Sequence, residues 1–375
     1  MKLAQIAPAT IPANTANSIQ GMKMAQGFLR AGHVVRLYAP GERPRLDWAQ
    51  IAEHYGLSEQ IDIQWLPSNS MLRGYDYAWR AVKAAEAWGA QALYTRLPQA
   101  AALAARRGLP TIYELHDLPT GQMGPRLLRA FLRGRGARRL VLISQALDDA
   151  LAVRYPLPDG DFICVAHDAV DLDAYASLPG SQAARKALGL PEGFTVGYTG
   201  HLYAGRGADL ILEMARQLPE VNFLLAGGRD EDVSRVRALA ADMGLQNVIL
   251  TGFVPNAQMP HYQAACELLL MPYQAQVAAS SGGDIAAFLS PMKMFEYLAS
   301  GRPILASDLP VLGEVLNSEN AVILPGDDVG AWVGAVRGLQ GVVQKREALS
   351  RSARKTAEQH SWERRAEAIL DGLQG

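Results

Sequence analysis

The sequence predicts an α/β protein made of two doubly wound parallel-sheet domains that face each other across a cleft. Three observations lead there. Short apolar runs alternate with helical periodicity along nearly the whole chain, the pattern of successive βαβ units. That alternation breaks once, into turn residues between Val170 and Glu192. The length, 375 residues, exceeds what one ordinary core organises, so two domains are expected. We place the first domain at 1–176, a linker at 177–192, the second domain at 193–360 and a terminal segment at 361–375. Periodicity over 362–373 suits a helix that packs back on one of the domains, the first by expectation.

The first domain opens on a strand at 3–7. A loop from Pro8 to Asn17 follows, then Ser18 as a helix cap and a helix over 19–31. Ile19, Met22, Phe28 and Leu29 form its apolar face, and Gly32 stops it before the strand at 33–38. The loop is longer than the usual two to six residues, which suits binding. It lacks the glycine-rich dinucleotide fingerprint, which argues against NAD. Strands at 92–95, 111–115, 140–143 and 162–165 continue the pattern, with Ser144 capping the helix after the third of these. Their carboxyl ends carry Arg96, then His116 and Asp117, then Ser144, then His167 and Asp168. Ligands of open parallel sheets collect at such ends. The second domain repeats the alternation with strands at 194–198, 223–226, 248–250, 268–271, 304–306 and 322–324.

Composition excludes several classes. A formal net charge of −1 gives no global attraction to nucleic acid. The two cysteines, Cys164 and Cys266, lack metal-ligand spacing and read as small buried residues of a reducing cytoplasm. The chain runs straight into a strand, which reads as no signal peptide, and no apolar run is long enough to span a bilayer. The expected location is the cytoplasm, either free or at the inner face of the membrane. Six arginines between Arg126 and Arg139 interleave with Leu127, Leu128, Phe131 and Leu132. A peripheral contact with anionic lipid and a solvated amphipathic helix both fit them.

The densest chemistry lies at 290–303. Ser290 suits the N-cap of a short helix, and Pro291 its first position, where the missing N–H would be unpaired anyway. Gly301 ends the helix and Pro303 keeps it from restarting. Met292, Phe295, Leu298 and Ala299 share a core-facing side, which leaves Lys293 and Glu296 together on the other. Such a pair is either a helix-surface ion pair of about 0.2–0.5 kcal/mol or a grip on a nucleotide sugar. In the second case amides and lysine hold phosphate, and the carboxylate accepts from sugar hydroxyls.

With four other places, this stretch resembles the retaining glycosyltransferases of the GT-B fold, the group 1 (family 4) enzymes that use nucleotide-activated sugars. Gly200-His201-Leu202 followed by Arg206-Gly207 is similar to the family's phosphate loop. Thr251-Gly252-Phe253-Val254-Pro255 is similar to its turn beside the nucleotide base. Glu296 matches the second of two family glutamates. Glu114-Leu115-His116-Asp117 matches the strand end that carries a histidine near the reacting sugar, and His167-Asp168-Ala169-Val170-Asp171 the motif before the linker. The resemblance covers nearly the whole chain, most strongly from Tyr198 to Ala306. Three departures stand out. The family's first glutamate falls at Phe288, which leaves the sugar contact to Asp284 or to amides near Ser290–Met292. His201 and Arg206 replace the usual arginine and lysine. Asn14-Thr15-Ala16-Asn17-Ser18 replaces a Gly-Gly pair in the first loop.

The resemblance implies catalytic roles for His116, Arg206, Lys293 and Glu296. It implies donor binding by Gly200, His201, Arg206, Gly252, Phe253, Val254, Ser290, Pro291, Met292, Lys293 and Glu296. Asn17, Ser18, Arg96, Asp117, Asp284 and Phe288 are the candidate acceptor or sugar contacts. The expected reaction moves a hexosyl-type sugar, with retention, from a UDP- or GDP-sugar to a glycan, lipid-linked or small-molecule acceptor. No cofactor is expected, and no Asp-x-Asp pair is placed to hold a metal. Arg206, Lys293 and helix amides would meet the leaving group's charge. Blander readings stand beside these: His116 satisfied by a backbone carbonyl, Arg206 solvated, Arg96 paired with Glu114 or Asp117. The alternative function is a nucleotide-sugar epimerase or hydrolase on the same fold.

Overall fold

A computed structural model describes residues 1–158, 160–278 and 283–373. The chain forms two compact units. One comprises Met1–Asp168 together with the chain from Ser361 onward, the other Ala169–His360. The turn-rich segment 177–192 lies within the second unit. Its helix Ser181–Leu188 is fixed there by Arg185, whose Nη1 donates to Ala265 O at 2.7 Å and to both Glu267 oxygens at 2.8 and 2.9 Å. No described helix is long and apolar enough to cross a membrane.

The first unit holds seven strands: β1 (Lys2–Ile6), β2 (Val34–Pro40), β3 (Asp62–Leu66), β4 (Ala92–Thr95), β5 (Thr111–Leu115), β6 (Ala137–Leu142) and β7 (Ile163–Val165). They pair in parallel in the order β3-β2-β1-β4-β5-β6-β7. The second unit holds six: β8 (Thr195–Thr199), β9 (Asn222–Ala226), β10 (Val248–Gly252), β11 (Leu268–Met271), β12 (Ile304–Ser307) and β13 (Ala321–Leu324), ordered β10-β9-β8-β11-β12-β13. Both sheets are doubly wound, as the GT-B architecture requires. The winding reverses between β1 and β4 and again between β8 and β11, and such switch points open a crevice at the strand ends. β4 and β11 are buried along their whole length, which explains their mainly apolar sequences.

Alanines at 4, 78, 81, 85, 100 and 104 dominate one core cluster of the first unit and let its helices approach the sheet closely. The second core is built around Phe223 and Trp332. Two expected caps move. The first helix runs Ala16–Arg30, and its cap is Thr15, which accepts from Ser18 N at 3.3 Å. Ser18 lies inside the helix instead. The second case is the helix Met292–Ser300, whose N-cap is Pro291 rather than Ser290, a residue with no polar side chain to cap it. A residue before proline is held extended, so Ser290 stays outside the helix. Gly301 closes it in the left-handed region as expected.

The terminal helix Trp362–Leu370 is capped by Ser361 and packs on Ala16–Arg30 in the first unit. Gly27 makes this approach feasible, because a Cβ there would lie 2.5 Å from Trp362 O. Arg139 of β6 seals the far end, donating to Ala368 O at 3.1 Å and Ile369 O at 2.7 Å.

Candidate functional site

In the second unit, the chain leaves β8 at Thr199 and turns through Gly200 at φ +114°. A Cβ there would stand 3.1 Å from Lys293 Nζ, so the missing side chain lets the lysine approach. Leu269 pairs with Gly197, which brings the ends of β8 and β11 to one level. Tyr273 follows β11, and two cations gather on its ring. Arg206 lies 5.1 Å and Lys293 Nζ 5.6 Å from the ring centre, and Arg206 Nη1 donates to the Tyr273 hydroxyl at 2.9 Å. Lys293 Nζ also sits 3.7 Å from the centre of the Tyr198 ring. It is closed to solvent and has no hydrogen-bond partner among the described residues. Burial and the neighbouring Arg206 push its pKa well below the usual lysine value, and Glu296 offsets this in part. Two cations thus stand together at a switch point beside the start of a helix, an arrangement whose chemistry suits an anion.

One turn along the same helix, Glu296 Oε2 accepts from Gln263 Nε2 at 3.1 Å, and that amide also reaches Thr199 Oγ1 at 3.3 Å. Tyr297 turns inward, and its hydroxyl accepts from Thr199 N at 2.7 Å. The carboxylate is therefore oriented by a buried glutamine. Gly252 O accepts from Gly227 N at 2.8 Å, placing the end of β10 beside β9. From there Phe253 projects, 44% exposed, while Val254 packs with Ala226 and Met259. His201 stacks on Tyr203 with ring centres 4.7 Å apart and planes 5° from parallel. Asp284 is exposed, but its Oδ1 accepts from Val277 N at 2.8 Å and Ala286 N at 2.9 Å, which draws its pKa down. Its geometry is that of a loop clamp. Phe288 is half-buried.

In the first unit, Glu114 near the end of β5 is the centre of a buried network. Its Oε1 accepts from Gln20 Nε2 at 2.8 Å and from His116 Nε2 at 2.5 Å. Its Oε2 accepts from the Tyr94 hydroxyl at 2.5 Å and from Arg365 Nη2 at 2.9 Å. Burial opposes this carboxylate's charge, yet Arg365, His116 and Arg96 hold its pKa well below the usual range. His116 is thus bonded to a carboxylate, not to a backbone carbonyl. Burial, reinforced by Arg96, lowers its pKa to about 4 against the pull of Glu114, so the ring is neutral at pH 7. Arg96 Nη1 donates to Gln20 Oε1 at 3.0 Å and so reaches Glu114 through an amide. Burial pushes the nearby Asp168 carboxyl up to about 7.

The other expected contacts fare differently. Asn17 stands in the first helical turn, its Oδ1 buried without a hydrogen-bond partner among the described residues. Ser18 is buried, and its hydroxyl bonds Thr10 O and the Tyr55 hydroxyl, so it serves the fold rather than a ligand. Asp117 is exposed, with Oδ1 accepting from Leu118 N at 2.7 Å. Of the six arginines at 126–139, Arg139 points inward and the other five are exposed. Sequence reasoning missed Tyr273, Gln263 and Arg365. Tyr273 was within reach, since it stands just past β11 at the switch point. Gln263 and Arg365 sit on helices with no local signal.

Two family models match the chain: Glycosyltransferase Family 4 over residues 22–174 and Glycosyl transferases group 1 over residues 193–340. The D-inositol 3-phosphate glycosyltransferase of Mycobacterium leprae is 31% identical over 223 residues, 56% of this chain and 48% of that protein. The protein of that name from Xylanimonas cellulosilytica is 29% identical over 225 residues, 57% and 51% of the two chains. The matched part of the chain thus spans about half the length of these curated relatives. Among solved structures, a glycosyltransferase from Rickettsia africae superposes with a TM-score of 0.75 at 14% identity, covering 99% of both chains. HepE from Anabaena, solved in complex with UDP, gives 0.73 at 18% identity over 100% of this chain and 99% of that one. At such identity these two likenesses concern the fold. The family models go further, because one covers the strand end that carries His116 and the other the phosphate loop and the Lys293 helix. On that footing the chain belongs to the group 1, family 4 glycosyltransferases.

Proposed function

We propose that the chain transfers a hexosyl-type sugar from a nucleoside diphosphate sugar to an acceptor, with retention at the anomeric carbon. One observation carries this reading: Arg206 and Lys293 converge on the Tyr273 ring, and Lys293 Nζ has no hydrogen-bond partner among the described residues. A diphosphate would offset both charges at once. As the sugar–phosphate bond opens, negative charge collects on the leaving diphosphate and the sugar becomes oxocarbenium-like. Arg206, Lys293 and the first amides of Met292–Ser300 would meet that charge with donors already in place. Glu296, oriented by Gln263, would accept from the ribose hydroxyls, and Phe253 would cover the base. Neutral His116 would position the sugar rather than attack it.

The Anabaena protein was solved with UDP and with UDP-glucose, which makes a uridine nucleotide the first donor to try. The exposed Arg126, Arg129, Arg133, Arg135 and Arg138 support a peripheral contact with anionic lipid as part of the same reading. The test is a thermal-shift screen of UDP, GDP, ADP and their sugars, since a ligand that binds the folded state raises its melting temperature. One nucleoside diphosphate and its sugar should stabilise the protein, and Lys293→Met should shrink the shift. A flat response to all three nucleotides would remove the reading. Release of free nucleoside diphosphate only when acceptor is present separates transfer from epimerisation or hydrolysis.

A further inference from the structure

Arg365 stands in the terminal helix, 251 positions from the carboxylate it meets. Each of its three guanidinium nitrogens has a partner. Nε donates to His167 O at 2.7 Å, and Nη2 is shared between Glu114 Oε2 at 2.9 Å and Ala166 O at 3.1 Å. Nη1 lies 3.0 Å from Met24 Sδ. Carbonyls just past β7 and a side chain of the first helix therefore fix the fork before it touches Glu114. Both groups are buried, with side-chain exposure of 3% for Arg365 and 0% for Glu114. On the opposite oxygen of that carboxylate sits His116 Nε2.

We propose that Arg365 is a positioning residue for the site: it seats Glu114 so that the carboxylate fixes the His116 ring with the proton on Nε2 and Nδ1 presented as an acceptor. An ionised carboxylate only accepts, so the hydrogen in the 2.5 Å contact comes from the ring. A neutral imidazole with Nε2–H has its lone pair on Nδ1. The ring's partner chemistry is then set: it takes a hydrogen bond from a hydroxyl and gives none from that nitrogen. That the hydroxyl belongs to a donor sugar rests on the transferase reading; the seating of the ring does not. Without Arg365, Oε2 loses its charged donor inside the core. The carboxylate must then take up a proton or turn, and either change alters what His116 Nε2 meets.

The experiment uses the full chain with ring-¹⁵N-labelled histidine, the His116 signals being assigned through His116→Gln. At neutral pH the parent should show a protonated Nε2 and a bare Nδ1. Arg365→Met should move both nitrogens toward averaged values and lower turnover of UDP-glucose by about tenfold or more. Its affinity for UDP should stay within about twofold, because the nucleotide is held by the other unit. Arg365→Lys, which restores the charge, should recover the parent ring signals and part of the turnover. Should Arg365→Met fail to fold, Glu114→Gln reads the same point. Its amide would offer the ring N–H groups and shift the ring proton toward Nδ1. Parent-like His116 signals in folded Arg365→Met or Glu114→Gln would overturn the proposal. So would an Arg365→Met protein that melts earlier yet keeps its ring signals and turnover, for then the arginine only staples a helix. If the parent binds no UDP-glucose while the ring signals respond as stated, the transferase reading falls and the positioning stands.

Discussion

Replacing Lys293 by methionine should move stability and binding in opposite directions. Methionine keeps most of the stem that threads past Gly200, so packing changes little. The variant loses the contact between the ammonium and the Tyr198 ring, 3.7 Å from its centre, worth about 0.5–2 kcal/mol. It also loses a buried charge with no hydrogen-bond partner, beside a second cation. Exchanging buried ions for apolar groups of similar volume is neutral or stabilising by about 1–4 kcal/mol. The second effect is the larger, so the ligand-free variant should be more stable by roughly 1–2 kcal/mol. For a domain of this size that raises the melting temperature by about 2–4 °C per kcal/mol. The sign of the pH dependence follows. The folded pKa of Lys293 lies well below the ordinary 10.5, so between the two values the unfolded chain carries a proton that the folded one lacks. Parent stability should therefore rise with pH as 10.5 is approached, and Lys293→Met should lose that component. Nucleoside diphosphate binding should weaken by the loss of a charged hydrogen bond, about 1.5–3 kcal/mol or roughly 10- to 150-fold. Denaturant titration and calorimetry measure the two sides separately. A variant that melts below the parent and binds UDP as tightly would refute the idea of an ammonium waiting for an anion.

Three further expectations are open to measurement. Glu296→Ala should cost nucleotide and nucleotide-sugar affinity alike, by about 1.5–3 kcal/mol, since the ribose is common to both; calorimetry with unchanged affinity for both would sink the ribose assignment. Asp168→Asn should steepen the rise of stability with pH. The carboxyl's folded pKa, about 7 against an ordinary 3.8, makes parent stability fall as pH climbs through that window, while His116, lowered from 6.5 to about 4, works the opposite way. Urea unfolding at several pH values checks this, and identical slopes for parent and variant would count against it. Gly27→Ala gains about 1 kcal/mol of helix propensity, but its Cβ would stand 2.5 Å from Trp362 O. Overpacking of that kind costs about 1–3 kcal/mol, so a net loss of stability is expected, read by chemical denaturation.

Most strands were legible because buried parallel strands are short, mainly apolar runs. Residues 92–95, 111–115 and 268–271 form strands at their expected bounds. The strand Asp62–Leu66 was not foreseen, since an edge position leaves its side chains half-exposed and its sequence mixed. Caps were legible in kind and misplaced by a few residues, as Thr15 and Pro291 show, because several residues nearby suit the role. On the second unit, Lys293 and Glu296 were readable from helical spacing alone. The tyrosine that gathers the cations was marked only by its place just past a switch-point strand, and the glutamine that orients the carboxylate by nothing local, because its partners come from other segments. Arg139 illustrates the same limit: charge patterning put it on the surface, whereas the terminal helix covers it and uses its guanidinium.

The return of the chain at Ser361 has a consequence for the order of assembly. Synthesis delivers β1 to β7 first, then the whole of the second unit, and the helix Trp362–Leu370 only afterwards. The second unit is contiguous and has all its strands before that helix exists. The first unit, begun earlier, waits with Glu114 lacking its guanidinium and the face around Gly27 uncovered. A nascent chain is therefore most exposed at its oldest part, and chaperone contact or proteolysis of stalled chains should concentrate on residues near Gly27 and Glu114. A helix that emerges only after the second unit thus seals the first sheet to form.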